Sequence, residues 1–453
     1  MEWPDHYVIR KRREGSMLII TNARILCPDR IIEKGTLCVD NSIIIEVSDQ
    51  PQSKKHDPHA EIIDAQGGLV MPGLTNTHMH LYSTFARGMS LVGEAPANFV
   101  QILERLWWRL DKALTVEDVY LSAVIPLIEC VRAGTTTIID HHASPNFVSG
   151  SLSAIQKALS LIPVRASLCY EVSDRDGPEI AREGIEENIN FVKAHTSDGM
   201  CKGLFGLHAS LTLSDKTLAD CAQAARNLGV GVHVHTAEDK ADVIKAQKEH
   251  GVGVVERWEN FGVLGSKTVL AHCVHISEHE MDLIARSKTN VVHNPESNMN
   301  NAVGCADVIK MLGKGCLVGL GTDGMTSDMF QEAKFAHLIR KHEVRDPRLG
   351  FMQAGELLFD NNYKILGNLF EGTLGRIQTG ALADLIILGY DPPTPLTRDN
   401  FWGHFLYGMN SSLVNTTIIN GRVLMKDRVI AGIDEHEICA RSRELARKLW
   451  TRI

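Results

Sequence analysis

The sequence predicts an α/β protein, a (β/α)8 TIM-like barrel joined to a small β-sandwich domain that is built from both chain ends. Two observations lead to this prediction. Apolar runs of strand length alternate with helix-patterned stretches through the middle of the chain for about 300 residues, which is the order and length of a (β/α)8 barrel. The two chain ends instead consist of short strand-like runs that turn residues separate.

The β-rich ends are expected to fold together as one domain of residues 17–70 and 376–430. Neither end is long enough to form a stable sheet core alone. In the second part, the Asn420-Gly421 pair between two apolar runs is a strong signal for a hairpin turn. In the first part, the strand patterns cover residues 18–26, 35–40 and 42–47. Residues 1–16 are expected to be a flexible leader, and residues 431–453 a C-terminal helix.

The middle of the chain, residues 71–375, is expected to form the catalytic barrel. Its helix patterns include residues 116–133, which stop at Gly134, and residues 215–228, which follow a Ser N-cap and stop at Gly229. A doubly wound open sheet is the alternative, and no Gly-x-Gly-x-x-Gly motif after a first strand supports it. Strand-sized apolar runs precede or include His80, Asp140, Tyr170, His208, His235, His272, His293 and Asp323.

Composition excludes several classes of partner. The 453-residue chain has a formal net charge of −8, which argues against nucleic acid or an anionic membrane as the main partner. Its apolar runs are too short to span a membrane, and the N-terminus lacks the apolar region of a signal peptide. The 10 Cys are scattered without a Cys-x-x-Cys pair. We therefore expect a cytoplasmic protein with reduced, buried cysteines.

The stretch from Met71 to His80 carries the first chemical signal. Pro72-Gly73 breaks an apolar run, and a polar segment with His78 and His80 follows. Residues two apart on an extended segment point the same way, so both imidazoles can face one metal ion. Taken alone, such a pair could equally be a chance surface pair, since the chain has 20 His.

Polar side chains end almost every predicted barrel strand. A single His of this kind is more often a packed core residue than a ligand, but burying so many polar groups is costly unless they share partners. Functional groups of (β/α)8 barrels lie at the carboxyl ends of the strands. The side chains at these ends are His78, His80, His141, His142, His208, His233, His235, Glu238, His272, His293 and Asp323.

Several motifs in order resemble the amidohydrolase superfamily, in its subgroup of chlorohydrolases and nucleobase or nucleoside deaminases. They are Pro72-Gly-Leu-x-Asn-x-His-x-His80, His235-x-x-Glu238, Ala271-His272, His293-Asn-Pro-x-Ser-Asn298, Gly321-Thr-Asp323-Gly324, Gly380-Ala-Leu-Ala-Asp384 and Ile419-Asn-Gly-Arg-Val423. Together with their surroundings they span residues 17–430. The resemblance implies a (β/α)8 barrel that hydrolyses carbon–nitrogen or carbon–halogen bonds with a metal-bound hydroxide.

The resemblance also implies a site. One divalent metal, zinc or alternatively iron, would be bound by His78, His80, His235 and Asp323. Members with two metals have a carboxylated Lys at the end of strand 4, where this chain has His208. Asp323 would accept a proton from the attacking water, Glu238 would shuttle it, and His272 would hold the water or polarise the developing oxyanion. His233 is interpreted as a packed residue.

Weaker candidates for substrate contact are His208, Arg87, His141 and Trp107. Arg87 could equally be a surface cation, and Trp107 could equally belong to a helix core. The leading function is hydrolytic deamination of an aminated nitrogen heterocycle of the purine, pterin or pyrimidine type. The alternatives are hydrolysis of a cyclic amide, ureide or ring–halogen bond, or a non-catalytic metal-binding protein on the same barrel. The expected partners are the small-molecule substrate and further copies of the chain in a homo-oligomer.

Overall fold

The computed structural model describes residues 17–50, 59–91 and 93–453, so the predicted leader at 1–16 lies outside the described residues. The described strands, in chain order, are β1 Met17–Leu26, β2 Ile31–Asp40, β3 Ile43–Ser48, β4 Glu61–Asp64, β5 Leu69–Pro72, β6 Leu74–Met79, β7 Thr135–Asp140, β8 Arg165–Leu168, β9 Cys201–Gly203, β10 Phe205–Ala209, β11 Val232–Thr236, β12 Val269–His272, β13 Asn290–His293, β14 Leu317–Leu320, β15 Leu385–Leu388, β16 Val414–Ile419, β17 Arg422–Lys426 and β18 Val429–Ile430.

The α-helices lie mainly between the strands of the middle region. They are α1 Phe99–Ile102, α2 Trp108–Ala113, α3 Val116–Ala133, α4 Ser151–Leu161, α5 Pro178–Ala194, α6 Asp215–Leu228, α7 Lys240–His250, α8 Val254–Asn260, α9 Glu278–Ser287, α10 Pro295–Asn300, α11 Val308–Gly313, α12 Met329–Val344, α13 Phe351–Glu356, α14 Asn362–Gly367, α15 Phe401–Gly408 and α16 Glu435–Trp450. A π-helical segment, Leu103–Trp107, joins α1 to α2.

The bounds of α3 and α6 confirm the two helices predicted from their end signals. Both helices end at a glycine in the left-handed conformation, Gly134 with φ 77° and Gly229 with φ 68°. Ser214 caps α6 by accepting a hydrogen bond from the backbone N–H of Thr217. Glycine takes this conformation without the penalty that a Cβ would impose, which is why it terminates helices so often.

Strands from both chain ends share one mixed nine-stranded sheet. Its main path runs β18-β17-β16-β15-β5-β1-β2-β3, and β4 pairs beside β5 on β1. Strand β5, which extends to Pro72, connects the two ends because it pairs with β1 on one side and β15 on the other. Buried apolar residues of both ends, among them Leu37, Ile44, Leu385 and Ile418, form one hydrophobic cluster.

The predicted hairpin turn at Asn420-Gly421 is confirmed. Strands β16 and β17 pair in antiparallel register with Ile419 opposite Arg422. The two residues between them have φ values of 51° and 72°. Positive φ at both central positions is the geometry of a type I′ turn, which suits the twist of a two-stranded ribbon.

The middle of the chain forms two parallel sheets, β10-β11-β12-β13-β14 and β6-β7-β8-β9. Hydrogen bonds join these sheets at both edges. The backbone N–H of Asp323 donates to the carbonyl of His78 at 3.0 Å, and that of Val172 donates to Gly206 at 3.2 Å. Parallel strands alternating with helices confirm the predicted α/β class. Because all strands run the same way, their carboxyl ends meet on one side.

Gly73 lies where the chain passes from the mixed sheet into the first parallel strand. A Cβ at this position would lie 2.2 Å from the side chain of Thr136 at the start of β7. Only glycine allows this close approach of β6 to β7. The Pro72-Gly73 break therefore lets His78 and His80 begin a new strand immediately after β5.

No described helix is both long enough and apolar enough to cross a membrane. All ten cysteines are free, and most are buried, as the sequence predicted. Cys439 is exposed, and Cys305 is partly so.

A buried ion pair joins the parallel sheets to the nine-stranded sheet, and breaking it should destabilise the protein strongly. Arg165 on β8 donates from Nε to Asp384 at 2.9 Å and from Nη2 at 3.2 Å, and both side chains are 2% exposed. Replacing Asp384 by alanine leaves the guanidinium buried without its carboxylate. We expect the free energy of unfolding to fall by about 3–5 kcal/mol, measured by urea denaturation.

An exposed pair provides the control for this experiment. Asp220 pairs with Lys216 on α6, and both side chains are mostly in solvent. Exposed pairs contribute little, so Asp220→Ala should leave the denaturation midpoint nearly unchanged. Equal midpoints for the two variants would contradict a stabilising role of the Arg165–Asp384 pair.

Candidate metal centre and active site

A cavity opens at the carboxyl ends of the parallel strands, and most of the predicted site residues meet there. The lining includes His80, Trp107, His208, His235, Glu238 and Asp323, together with Tyr82, Trp108, Asp111, Glu171, Ser297 and Asn301. Three residues of the site or next to it have left-handed backbone conformations. Ala237, His272 and Asp323 have φ values of 47°, 73° and 54°. Left-handed residues other than glycine are uncommon and often occur at functional sites.

Two imidazoles face each other in this cavity. The Nδ1–H of His80 donates to the carbonyl of His141 at 2.5 Å, and that of His235 donates to the carbonyl of His208 at 2.8 Å. These bonds turn both Nε2 atoms towards each other, at 3.1 Å. Fixing the outer nitrogen through a hydrogen bond is the usual way in which proteins orient a metal-binding His.

Asp323 completes the group. Its Oδ1 lies 3.0 Å from Nε2 of His80 and 3.6 Å from Nε2 of His78, which is fully buried without a hydrogen-bond partner among the described residues. Burial lowers the pKa of His80, but the adjacent Asp323 carboxylate raises it to about 9. The short distances among these side chains make the space between His80, His235 and Asp323 a suitable place for a cation.

The donor atoms fit a divalent metal. The ligand atoms of His78, His235, His272 and Asp323 all lie within 4.8 Å of one another. His80 contacts the same carboxylate. A set of imidazole nitrogens with one carboxylate suits zinc or ferrous iron. The structure thus contains a His/Asp cluster that could hold a metal ion. Three of its four members, His78, His235 and Asp323, are among the predicted ligands, and His272 is the fourth.

His272 and Glu238 lie beside this cluster. Nε2 of His272 is 3.5 Å from Oε2 of Glu238 and 3.7 Å from Oδ2 of Asp323. Its Nδ1–H donates to Oδ1 of Asn298 at 2.8 Å, which fixes the ring. Glu238 also accepts a hydrogen bond from Asn301 at 3.2 Å.

The two carboxylates differ in their affinity for protons. Burial raises the pKa of Glu238 to about 7. The nearby His272 lowers this pKa, and the negative charge of Asp323 raises it further. Burial would also raise the pKa of Asp323, but the adjacent imidazoles of His78 and His80 hold that pKa well below its usual range. Neighbouring carboxyl groups with separated pKa values are suited to different roles in proton transfer.

The structure places the candidates for substrate contact, and the predicted packed residue His233, at different distances from the cavity. His208 and Trp107 line the cavity. His141 is fully buried beneath it, and its Nε2–H donates to the carbonyl of Leu207 at 3.0 Å. His233 is also fully buried and shares a 2.9 Å hydrogen bond with Nδ1 of His78. The sequence therefore identified two cavity residues and two residues behind the cavity wall.

Arg87 is not brought to the cavity. Its guanidinium is half-exposed and pairs with Glu129 on α3, with Nη2 donating to Oε2 at 2.7 Å. The 3₁₀ turn Leu81–Ala86 lies between His80 and Arg87. This interval carries Arg87 to the outer surface of the protein although it is close to a metal-site residue in sequence.

Sequence reasoning missed Glu171, which lines the cavity. It follows β8, and its Oε2 lies 3.2 Å from Nδ1 of His141. Burial would raise its pKa, but His208, His141 and Arg175 together hold that pKa well below its usual range. The rule that functional groups follow barrel strands could have found Glu171, since it was applied to every strand but this one.

Comparison with known proteins identifies the family. A model of the amidohydrolase family matches residues 69–424. The chain belongs to the amidohydrolase family. This membership confirms the predicted resemblance and the prediction of a hydrolase that acts on carbon–nitrogen bonds other than peptide bonds.

Relatives of this amidohydrolase match it along nearly their whole length. A 5′-deoxyadenosine deaminase of Methanosarcina mazei is 32% identical over 446 residues, which is 96% of this chain and 99% of the relative. A 5-methylthioadenosine/S-adenosylhomocysteine deaminase of Syntrophomonas wolfei is 32% identical over 426 residues, covering 92% of this chain and 95% of the relative.

Solved structures share the fold. An adenosine deaminase from Xanthomonas campestris with bound zinc has a TM-score of 0.84 and 21% identity, covering 97% of this chain and 99% of that one. An atrazine chlorohydrolase from Arthrobacter aurescens, complexed with zinc, has a TM-score of 0.79 and 18% identity, covering 95% and 100%. At these identities the likeness concerns the fold alone, and the family implies a TIM barrel.

Proposed function

We propose that this amidohydrolase catalyses the hydrolytic deamination of an aminated nitrogen heterocycle, of the purine, pterin or pyrimidine type. The observation that carries the proposal is the convergence of the His/Asp cluster, His272 and Glu238 at one cavity. The names of the two deaminase relatives, both of which act on adenosine derivatives, support ammonia as the leaving group.

The proposal includes the finer architecture. The two parallel sheets would form one closed (β/α)8 barrel over residues 71–375, supported by the hydrogen bonds at both of their edges. The nine-stranded sheet would fold over its shared hydrophobic cluster as the β-sandwich of residues 17–70 and 376–430. Helix α16 would be the C-terminal helix of residues 431–453.

One divalent metal per chain, zinc or alternatively iron, would complete the site. Its ligands would be His78, His80, His235 and Asp323. A divalent ion supplies Lewis acidity, which lowers the pKa of a bound water from 15.7 to about 7. Hydrogen bonds from Nδ1 orient the imidazoles of His80 and His235, and Ser297 donates a hydrogen bond to Asp323.

The remaining residues would move protons. Asp323 accepts the proton of the water that attacks the amino-bearing carbon. Glu238 would deliver its proton to a ring nitrogen, take the remaining proton of the attacking water as the carbonyl forms, and pass that proton to the amino group, so that ammonia leaves. The proton held by Asp323 would then return to Glu238. His272, whose Nδ1–H donates to Asn298, would hold the attacking water by accepting a hydrogen bond from it at Nε2, which lies between Glu238 and Asp323.

Substrate would bind against His208 and Trp107, which line the cavity, while His141 supports the wall from behind.

Hydrolysis of a ring–halogen bond remains the alternative, because the chlorohydrolase has the same fold. A chloride ion leaves without needing a proton, whereas ammonia needs one. Glu238 could protonate the ring nitrogen in either reaction, so the preference for deamination rests on the deaminase relatives.

A matched pair of substrates tests the choice. Adenosine and its 6-chloro analogue differ only in the leaving group. Ammonia and chloride release should be measured for both, and the panel extended to 5′-deoxyadenosine and to aminated pterins and pyrimidines. Ammonia release with kcat/KM at least tenfold above that of the chloro analogue is the expected result. The opposite ratio would reverse the assignment.

We expect one metal per chain. Elemental analysis of protein purified without chelators should give close to one zinc or iron ion. His80→Ala should lower this occupancy, because it removes one of the four proposed ligands. Two tightly held ions per chain, or none, would contradict the single-metal assignment. A cytoplasmic location and a homo-oligomer also stay predictions, the latter to be measured by light scattering.

A further inference from the structure

One wall of the cavity carries a carboxylate that the proposed reaction does not use. Glu171 is only 5% exposed and lines the cavity with His208 and Trp108. Its Oε2 contacts His141. Its Oε1 lies 3.7 Å from Nε2 of His208 and 4.0 Å from Nη2 of Arg175, beyond the length of a direct hydrogen bond. A carboxylate oxygen that lines a cavity without a close donor can accept a hydrogen bond from a ligand.

The other carboxylates of the cavity are already engaged. The described lining contains Asp111, Glu171, Glu238, Asp239, Asp242 and Asp323, and no Lys or Arg. Asp111 binds the guanidinium of Arg175. Asp239 and Asp242 accept hydrogen bonds from backbone N–H groups at the start of α7 and nearby. Glu238 and Asp323 belong to the proposed reaction, and the Oδ1 of Asp111, unpartnered among the described residues, is itself fully buried, so Glu171 is the remaining carboxylate that can offer an oxygen to a substrate.

Arg175 does not cancel the negative charge of this wall. It contacts Asp111, has Nε 3.1 Å from Asp176, and has Glu171 at 4.0 Å. Lys112 also pairs with Asp176, at 2.5 Å, so three carboxylates face two cations. Trp108 lies next to this group, with the guanidinium carbon 5.4 Å from its ring centre. The buried indole N–H of Trp108 has no hydrogen-bond partner among the described residues. The wall therefore offers a negative acceptor and an unused donor, which suits the edge of a heterocycle.

We propose that Glu171 is a substrate-binding residue whose Oε1 accepts a hydrogen bond from an N–H or O–H group of the substrate. This inference rests on the proposed deamination and narrows its substrate class. The substrate is an uncharged or cationic aminated heterocycle with a second hydrogen-bond donor, as in a free base or a nucleoside. A phosphorylated nucleotide is excluded, because its charge would approach a wall that is already negative.

The first experiment compares substrates on the metal-loaded wild-type protein. Adenosine 5′-monophosphate should have a kcat/KM at least about 100-fold below that of adenosine, as expected when like charges are brought together without compensation. Comparable values for the two compounds, or a preference for the monophosphate, would overturn the proposed charge selection.

The second experiment replaces Glu171 by glutamine, which keeps the shape and removes the charge. A hydrogen bond to a charged group is worth about 1.5–3 kcal/mol, so KM should rise about 10–100-fold. Metal content should be unchanged, and kcat should stay within about threefold of wild type, because recognition is lost and the reaction groups remain. Glu129→Gln, at the exposed pair with Arg87, is the matched control and should change neither constant.

Substrate analogues identify the donor. The rise in KM caused by Glu171→Gln should vanish for 2′,3′-dideoxyadenosine if a sugar hydroxyl is the donor. It should vanish for a ring-methylated base, compared with the free base, if a ring N–H is the donor. An equal penalty for every compound would indicate a merely structural role and would overturn the proposal, as would an unchanged KM.

Ligand-induced shifts in melting temperature separate this inference from the proposed function. They report binding without turnover. If the panel binds to wild type but releases no ammonia, the deamination proposal fails, and the weaker shifts expected for Glu171→Gln still measure recognition. If ammonia is released equally well by both proteins and the shifts are equal, the proposal for Glu171 fails and deamination stands.

Discussion

Replacing Glu238 by glutamine is expected to lower kcat by about 10²–10⁴ while the protein keeps its metal. Positioned acid–base groups typically contribute this factor, which corresponds to roughly 3–5 kcal/mol of barrier. Glu238 contacts His272 and Asn301, and neither contact makes it one of the proposed ligands. Glutamine can preserve the hydrogen bond to Asn301 but cannot carry a proton between water, ring nitrogen and leaving amine. The measurements are kcat on an aminated heterocycle and metal content by elemental analysis.

A second glutamate on the following helix provides the control. Glu249 lies in α7, is half-exposed, and is 3.9 Å from Lys245. Glu249→Gln makes the same chemical change outside the cavity and should leave kcat and metal content as in wild type. Near-normal kcat for Glu238→Gln, or loss of its metal, would falsify the role in proton transfer.

The sequence predicted those parts of the molecule that depend on local signals. The ends of α3 and α6 follow from glycines that adopt the left-handed conformation. His78 and His80 share a direction because alternate residues of a strand point the same way, and both side chains reach Asp323 in the structure. Such patterns use only neighbours in the chain, so one sequence is enough to detect them.

Contacts between distant segments could not be predicted in this way. Arg87 follows His80 by seven positions, yet an intervening 3₁₀ turn directs it to Glu129 on α3. Glu171 lies three positions after the end of β8, as Asp323 does after β14, so its position could be predicted, but its partners could not. Its importance comes from Arg175, His208 and His141, which approach it through tertiary packing.

The same limitation applies to the way in which the two chain ends meet. The sequence showed that both ends are rich in strands, but the pairing of β5 with β15 depends on contacts across about 300 residues. Arg165 and Asp384 illustrate this point. In the sequence each is a single charged residue beside an apolar run, and only the structure shows that they form an ion pair. Long-range pairs of this kind determine how the sheets are joined and leave no periodic signal in the chain.

Asp323→Asn is expected to remove both activity and metal, unlike Glu238→Gln. Asp323 contacts His78 and His80 through Oδ1, so its negative charge is part of the proposed ligand set. A neutral amide binds a divalent cation more weakly and cannot accept the proton of the attacking water, so kcat should fall by at least about 10²–10⁴. Metal content after dialysis against a chelator should fall below that of wild type.

Ser297 donates to Oδ2 of Asp323 at 2.5 Å and provides the comparison. Ser297→Ala should lower metal affinity or activity by only about 10–100-fold, which is typical of a group that supports a ligand. Full metal occupancy in Asp323→Asn, or a larger loss in Ser297→Ala, would contradict the assignment of Asp323 as both ligand and base.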